Sequence, residues 1–354
     1  AITVNNTDGT CTANLTNKPN RNLIINGAMQ VAQRGTSVSA TSGGYTTVDR
    51  FLQASSNLNN NCDVEQASIS SGGAYDAGFR KSYKVTNGDN NADSNDQSKI
   101  HYKIESQDLA SSGWDSVNSN SKVTFSFWVK SSVAQTFVVH LDADDSDKVY
   151  AFEYSATTSW TKITHTISGA TGLTFNSDNG VGLNIQWFLY MGTDKTDNSF
   201  TYNAWGASNG SSRSRDMTTT WQTTNDATFE ITGVQLEVSD HATSFEHRSF
   251  AQELALCERY YQIIKPTLGE AQNTTNIQGC LRANPPMRAT PTASILSNSN
   301  NINMAGSGVS SVTSIGTIYY NGTTGGWAEM GGSGFTQHRN YFILGDKFAF
   351  SAEL

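Results

Sequence analysis

The sequence predicts an all-β protein: an antiparallel, jelly-roll-like β-sandwich, a short connecting helix and a second, small β-rich C-terminal module. Three observations carry this. Segment after segment between residues 21 and 247 alternates apolar and polar residues at period two, the pattern of strands with one buried and one wet face. One stretch, 249–264, repeats its apolar residues at helical spacing. Beyond it, residues 265–354 gather twelve glycines and four of the five prolines around short apolar runs.

Residues 1–20 are polar with scattered apolar side chains and read as an extended arm. Ala1 follows no basic, apolar leader, and the missing initiator Met reads as a processed or truncated start. Within 21–247, strands are expected at Ser82–Thr86, Lys99–Glu105, Lys122–Lys130, Thr136–Leu141, Val149–Tyr154, Lys162–Ser168, Leu183–Met191 and Thr228–Val238. Val123, Phe125, Phe127 and Val129 share one face, which leaves Trp128 outside the sandwich, against the helix or a neighbour. Leu183, Ile185, Trp187, Leu189 and Met191 share another. In the last strand Phe229 and Ile231 alternate, Gly233 interrupts, and Val234, Leu236 and Val238 resume with shifted parity, as at a β-bulge. Eight such strands with no helical pattern between them point to a jelly roll.

Residues 248–264 form the connecting helix. Ser249 and Gln252 make a capping box. Phe250, Leu254, Cys257, Tyr261 and Ile264 follow at spacings of four, three, four and three, a seam too short for an independent coiled coil, which must pack on its own sandwich or on symmetry mates. Pro266 stops the helix. In 265–354, strands are expected at Thr313–Tyr320 and Tyr341–Leu344, with a tight turn at Asn321-Gly322.

Hydrophobic residues make up 36% and charged residues 15% of the 354, which fits neither a charge-repelled disordered chain nor a membrane protein, and no run is long and apolar enough to span a bilayer. Net charge is -8. Residues 265–354 carry five basic and four acidic groups, so the first 264 carry the acidic excess and would repel a phosphate backbone; nucleic acid is not an expected partner. The cysteines, at 11, 62, 257 and 280, have no metal-ligand spacing and read as free thiols of a chain folded in a reducing cytoplasm.

The stretch FEITGVQLEVSDHATSFEHRSFAQELALCERYYQ, from Phe229 to Gln262, and RNLIINGAMQVAQRGTS, from Arg21 to Ser37, resemble the tail-fibre or receptor-binding appendage proteins of tailed bacteriophages of the marine type. The resemblance covers residues 21 to 264 and extends to PPMRATPT (Pro285 to Thr292) and the FSAEL ending (Phe350 to Leu354). It implies a virion tail appendage assembled in the host cytoplasm. It also implies a homotrimer joined to other tail proteins through its N-terminal arm and attached to a host-surface glycan or protein. The competing expectations are a capsid decoration or spacer fibre without receptor binding, and a polysaccharide depolymerase.

Candidate chemistry is sparse, and no enzymatic activity is expected. Gly206-Ala-Ser208-Asn-Gly210 matches G-x-S-x-G, but its flanks are neither a buried strand nor an amphipathic helix, as a nucleophile elbow needs. No carboxylate pair stands out for glycoside hydrolysis. No cofactor is expected. The loops Asp89–Asp96 and Asp142–Asp147 present oxygen ligands at alternating positions; of the two, Asp142, Asp144, Asp145 and Asp147 are the candidates for a structural Ca²⁺, against the plainer reading of a solvated turn. Trp205, Trp221 and Trp327 lie in polar loops, where a ring either offers a platform to a sugar face or folds back to plug the sandwich. The C-terminal module is the expected host-facing tip: it is nearly neutral, and Gly, Asn, Ser and Thr loops surround Tyr319, Tyr320 and Trp327. Glu329, His338 and Arg339 are the candidates to bind hydroxyls or an acidic sugar.

Overall fold

The computed structural model describes residues 2–4, 11–13, 21–264, 269–296, 302–303, 309–343 and 348–354. Within 1–20 it shows an antiparallel pair, Ile2–Val4 with Cys11–Ala13; the rest of the expected arm lies outside the described residues.

Two antiparallel sheets face one another. One has seven strands in the order Gly206–Ala207, Lys148–Ala156, Gln135–Ala143, Val181–Met191, Gln97–Glu105, Phe51–Ser56, Gly43–Gly44. The other has six, Thr161–Ser168, Lys122–Ser131, Thr228–Glu237, Lys81–Thr86, Cys62–Ser68, Ser37–Thr41. The inward set of each strand fills the space between, as period two requires. Trp187 is at the centre, its ring centroid 6.2 Å from Phe51, 5.7 Å from Phe125 and 5.8 Å from Phe127. All eight expected strands are present.

The interruption at Gly233 is a bulge: the register with Lys122–Ser131 slips between Thr232 and Gln235. Gly233 has φ +60, and a Cβ there would stand 2.5 Å from the Phe79 ring and 3.0 Å from Trp128, so backbone and space both demand glycine. Trp128 lies outside the sandwich, half-buried with Phe79, Trp160 and Phe245.

The helix is shorter than its periodicity implied. It spans Phe250–Cys257 and begins at the Ser249/Gln252 capping box. After a turn the chain becomes a strand, Tyr261–Ile264, paired with Phe348–Ser351, which pairs in turn with Thr292–Ile295. Tyr261 and Ile264 therefore leave the seam. Aromatic and β-branched residues favour a pleated, half-buried surface, and a partner strand is at hand; the spacing matched a helix only in number. Of the seam that remains, Cys257 is buried and Leu254 half-buried against Ile25, Val31 and Tyr260, whereas Phe250 is 55% exposed. The stop at Pro266 lies outside the described residues. No described helix is long and apolar enough to cross a membrane.

The C-terminal module is a small closed barrel, ordered Gly269–Ala271, Asn276–Arg282, Gly325–Ser333, Val309–Tyr320, Ile302–Asn303, Asn340–Ile343. Ile277, Leu281, Ala328, Met330, Phe335 and Tyr341 fill it. The expected tight turn at Asn321-Gly322 is instead a 3₁₀ turn, Gly322–Thr324, closed by the Asn321 N–H donating to the Gly325 carbonyl at 2.7 Å. The strand expected at Tyr341–Leu344 runs Asn340–Ile343, with Leu344 outside the described residues.

The sandwich meets the three-stranded sheet and its flanking loops at a buried ionic joint. Glu353 takes Arg50 Nη1 at 2.8 Å and Arg34 Nη2 at 3.1 Å. Arg50 is 1% exposed; its guanidinium lies 3.4 Å from the Tyr260 ring centroid and donates to the Lys103 carbonyl at 2.6 Å. Glu105, fully buried, accepts from the Tyr260 hydroxyl and pairs with Arg259 and Arg288, each at 3.5 Å. Gln262 bonds the Pro285 carbonyl at 2.8 Å, and Lys103 Nζ donates to the Leu354 carbonyl at 2.7 Å.

Candidate functional site

The exposed aromatic rings of the barrel sit on its outer wall. In Gly325–Ser333, Ala328 and Met330 point into the core, so Trp327 and Glu329 point out. Tyr319 is directly across from Trp327 on one side and Cys280 on the other. Tyr319 is 62% and Trp327 59% exposed, more than any other large apolar side chain among the described residues. The strands approach closely because residue 326 is glycine: a Cβ there would stand 2.2 Å from the Tyr319 carbonyl oxygen. One row along, Glu329 faces Gln278, whose Nε2 donates to Glu329 Oε1 at 3.2 Å. Gln278, Tyr319, Trp327, Ala328 and Glu329 line a depression of about 250 Å³. Two rings with a carboxylate and an amide beside them can stack on the C–H face of a sugar and accept from its hydroxyls.

The other expected tip residues are elsewhere. Tyr320 is 37% exposed and turned toward Phe350, 6.5 Å between centroids. His338 is exposed beside Glu270, Nδ1 to Oε1 3.6 Å, and Arg339 is exposed next to it. Their neighbour Asn340 pairs with Glu270, Glu270 with Gln278 and Gln278 with Glu329. Three strand spacings round the closed barrel in either direction separate this strand from the Trp327 strand, so the two lie on opposite sides of the wall.

Two of the candidate tryptophans are turned against the sandwich. Trp221 is fully buried in the sandwich core. Trp205 is half-buried on Tyr150, 5.3 Å between centroids, and its indole N–H donates to the Ser168 carbonyl at 2.9 Å. Trp221 sits on the short helix Thr220–Thr223 inside the core and Trp205 is held on Tyr150, where a large apolar ring removes more surface from water than an exposed one.

The acidic loops have separate tasks. Asp142 accepts from Gln186, and Asp145 takes the Asn176 N–H at 3.0 Å and Nδ2 at 2.7 Å. Burial, with the Asp142 charge second, pushes Asp144 up to about 6, and Asp147 adopts the left-handed conformation at φ 49. Among the described residues no three His, Cys, Asp or Glu side chains are grouped as a metal ion would need. Asp89 and Asp96 accept from backbone N–H groups of Asn59 and Asp93, both at 2.8 Å. In the G-x-S-x-G stretch, Gly206–Ala207 is an edge strand and Ser208 an exposed loop residue, not the strand-to-helix turn a nucleophile requires.

On the outer face of the seven-stranded sheet, His140 is 1% exposed and stacked on Phe188. Burial, with Arg213 and Lys99 adding to it, holds its pKa down at about 3. The sign follows: a base whose folded pKa is depressed stabilises the fold above its unfolded value, near 6.5, and loses that stability as pH falls toward 3. His140→Asn is expected to be less acid-sensitive than the parent between pH 6 and 4, by about 1.4 kcal/mol per pH unit. Urea midpoints across that range check it, and parallel curves would contradict it.

No protein-family model matches the chain, and no curated protein matches it. Solved structures that are similar include two carbohydrate-binding domains and a phage tailspike domain. The family 11 carbohydrate-binding module of a cellulosomal cellulase from Clostridium thermocellum is 12% identical over 56% of this chain and 91% of that one, TM-score 0.27. The CBM22-1 xylan-binding domain from Paenibacillus barcinonensis is 11% identical over 62% and 96%, TM-score 0.28. The enzymatically active domain of tailspike protein 4 from bacteriophage CBA120 is 9% identical over 63% of this chain but only 22% of that one, TM-score 0.32. Likenesses of this size assign no ligand and no activity.

Gln278 and Glu270 were not singled out from sequence. The signal was present: in Asn276–Arg282, Ile277 and Leu281 alternate with Gln278 and Cys280, which marks the polar pair as outward-facing.

Proposed function

We propose that this chain is a virion component of a tailed bacteriophage, a tail fibre that attaches to the host surface by binding a glycan on the outer wall of its C-terminal barrel. One observation carries the binding reading: Tyr319 and Trp327, the two most exposed large apolar side chains described, are cross-strand neighbours beside the Glu329–Gln278 pair. The phage assignment rests on the sequence resemblance. Trp327→Ala is expected to weaken attachment to host cells about thirtyfold or more, as loss of an aromatic anchor does, with no change in thermal stability. Retained attachment with lowered stability would make the ring a packing element and overturn the assignment.

The chain is proposed to be non-catalytic. Glu270 and Glu329 are two strand spacings apart, about 10 Å, on an outer wall rather than across a cleft. Release of oligosaccharide from host polymer, abolished by Glu329→Gln or Glu270→Gln, would contradict this. The proposed assembly is a homotrimer in the virion tail. Phe250 and Leu254 support a contact between copies, because they line a groove of about 420 Å³ with Val31, Ala32 and Ile263. Light scattering should report three copies; a folded monomer at micromolar concentration would contradict it.

A further inference from the structure

We infer that the Trp327 depression selects uncharged saccharides and rejects acidic ones. This rests on the glycan-binding reading above and deepens it. The argument is one of charge and hydrogen-bond direction. Glu329 supplies acceptor oxygens. Gln278 donates one N–H of its Nε2 to Glu329 and keeps a carbonyl oxygen as a further acceptor. Beside the rings the depression therefore carries a carboxylate and an amide oxygen that suit the donor hydroxyls of a neutral pyranose. A uronate or sialate carboxylate brings acceptors and a like charge.

Among the described residues no cation lines the depression. Among the described residues of the module the basic side chains are Arg282, Arg288 and Arg339. Arg288 is spent at the joint, with Nε 3.5 Å from Glu105 and Nη1 donating to the Ala352 carbonyl at 3.0 Å. Arg339 stands beside the strand on the opposite side of the barrel, next to His338 and near Glu270. Arg282 faces Gly325, one row past Trp327 on the side away from Glu329, and does not line the depression. Among the described residues Glu329 is the one charged group lining the depression, which gives the rings a negative neighbour. Two like charges about 5 Å apart near a protein surface repel enough to weaken binding about tenfold or more.

The test is a saccharide array that pairs neutral oligosaccharides with their uronic-acid and sialylated counterparts, probed with the whole chain and with Trp327→Ala, Glu329→Gln and Arg282→Ala. The expected result is a set of Trp327-dependent hits that is uncharged, with each acidic counterpart bound at least about tenfold more weakly. Glu329→Gln should narrow that gap, and Arg282→Ala should leave it alone. Trp327-dependent hits that are mostly acidic, or acidic hits lost with Arg282→Ala, would overturn the selectivity while leaving glycan binding standing. An array with no Trp327-dependent hit would overturn the binding reading itself, and the selectivity with it.

Discussion

Glu353→Ala is expected to destabilise the chain by about 3–5 kcal/mol, the cost of breaking one partner out of a buried ion pair. Glu353 neutralises Arg50, which is 1% exposed and held between the Tyr260 ring and the Lys103 carbonyl, so the guanidinium cannot swing out to water when its carboxylate is removed. Arg34, over the Tyr261 ring at 3.6 Å, loses the same partner. A control separates charge from packing. Arg50→Met combined with Glu353→Gln removes the orphaned cation and keeps most of the volume, and should recover at least half of the loss. Urea midpoints at constant slope measure both. A loss below about 1 kcal/mol for Glu353→Ala would mean that the joint is open to water.

Trp221→Ala is expected to cost a similar amount, about 3–5 kcal/mol, for a different reason. The indole is fully buried in the sandwich core, and alanine leaves a cavity that strands from two sheets cannot both close. Trp221→Phe should cost much less. It keeps most of the apolar contact and removes an indole N–H that has no hydrogen-bond partner among the described atoms. Neither variant should change saccharide binding at the barrel as long as the chain is folded. A stable Trp221→Ala chain with impaired binding would return this ring to the list of ligand contacts.

The sandwich was legible because period two is a local signal. Val123 to Val129 and Leu183 to Met191 declare their buried face without reference to any other part of the chain, and the shifted parity around Gly233 located a bulge to the residue. Failure began where a decision depended on distant partners. Tyr261 and Ile264 continue a helical spacing, but Phe348–Ser351, more than eighty residues on, offers a strand edge. Trp205, Trp221 and Trp327 occupy similar polar loops in the sequence; which of them is wet is decided by what those loops run over. Tyr319 and Tyr320 adjoin, yet successive strand residues point to opposite faces, so only the first stands beside Trp327. The acidic loop at Asp142 shows the same limit, since alternating carboxylates say nothing about whether their oxygens converge.

The phrases that carry the phage resemblance converge on one place. Arg34 comes from Arg21 to Ser37, Tyr260 and Gln262 from Phe229 to Gln262, Arg288 from Pro285 to Thr292, and Glu353 from the FSAEL ending. All of them build the joint between the sandwich and the C-terminal part of the chain. The rings proposed to meet the host, Tyr319 and Trp327, lie outside every one of these phrases. The resemblance therefore speaks to how the two parts are held together, and the ligand has to be read from the barrel wall alone.

The most direct test of that reading is ¹⁹F NMR of the chain labelled with 5-fluorotryptophan, titrated with the tightest-binding saccharide of the array. The seven tryptophans give seven probes: buried at 114, 187 and 221, half-buried at 128, 160 and 205, exposed at 327. Assigned by single substitutions, the Trp327 resonance is expected to shift with saccharide while those of Trp187 and Trp221 stay fixed. A stationary Trp327 signal alongside a moving Trp128 or Trp205 signal would place the ligand on the sandwich and contradict the account.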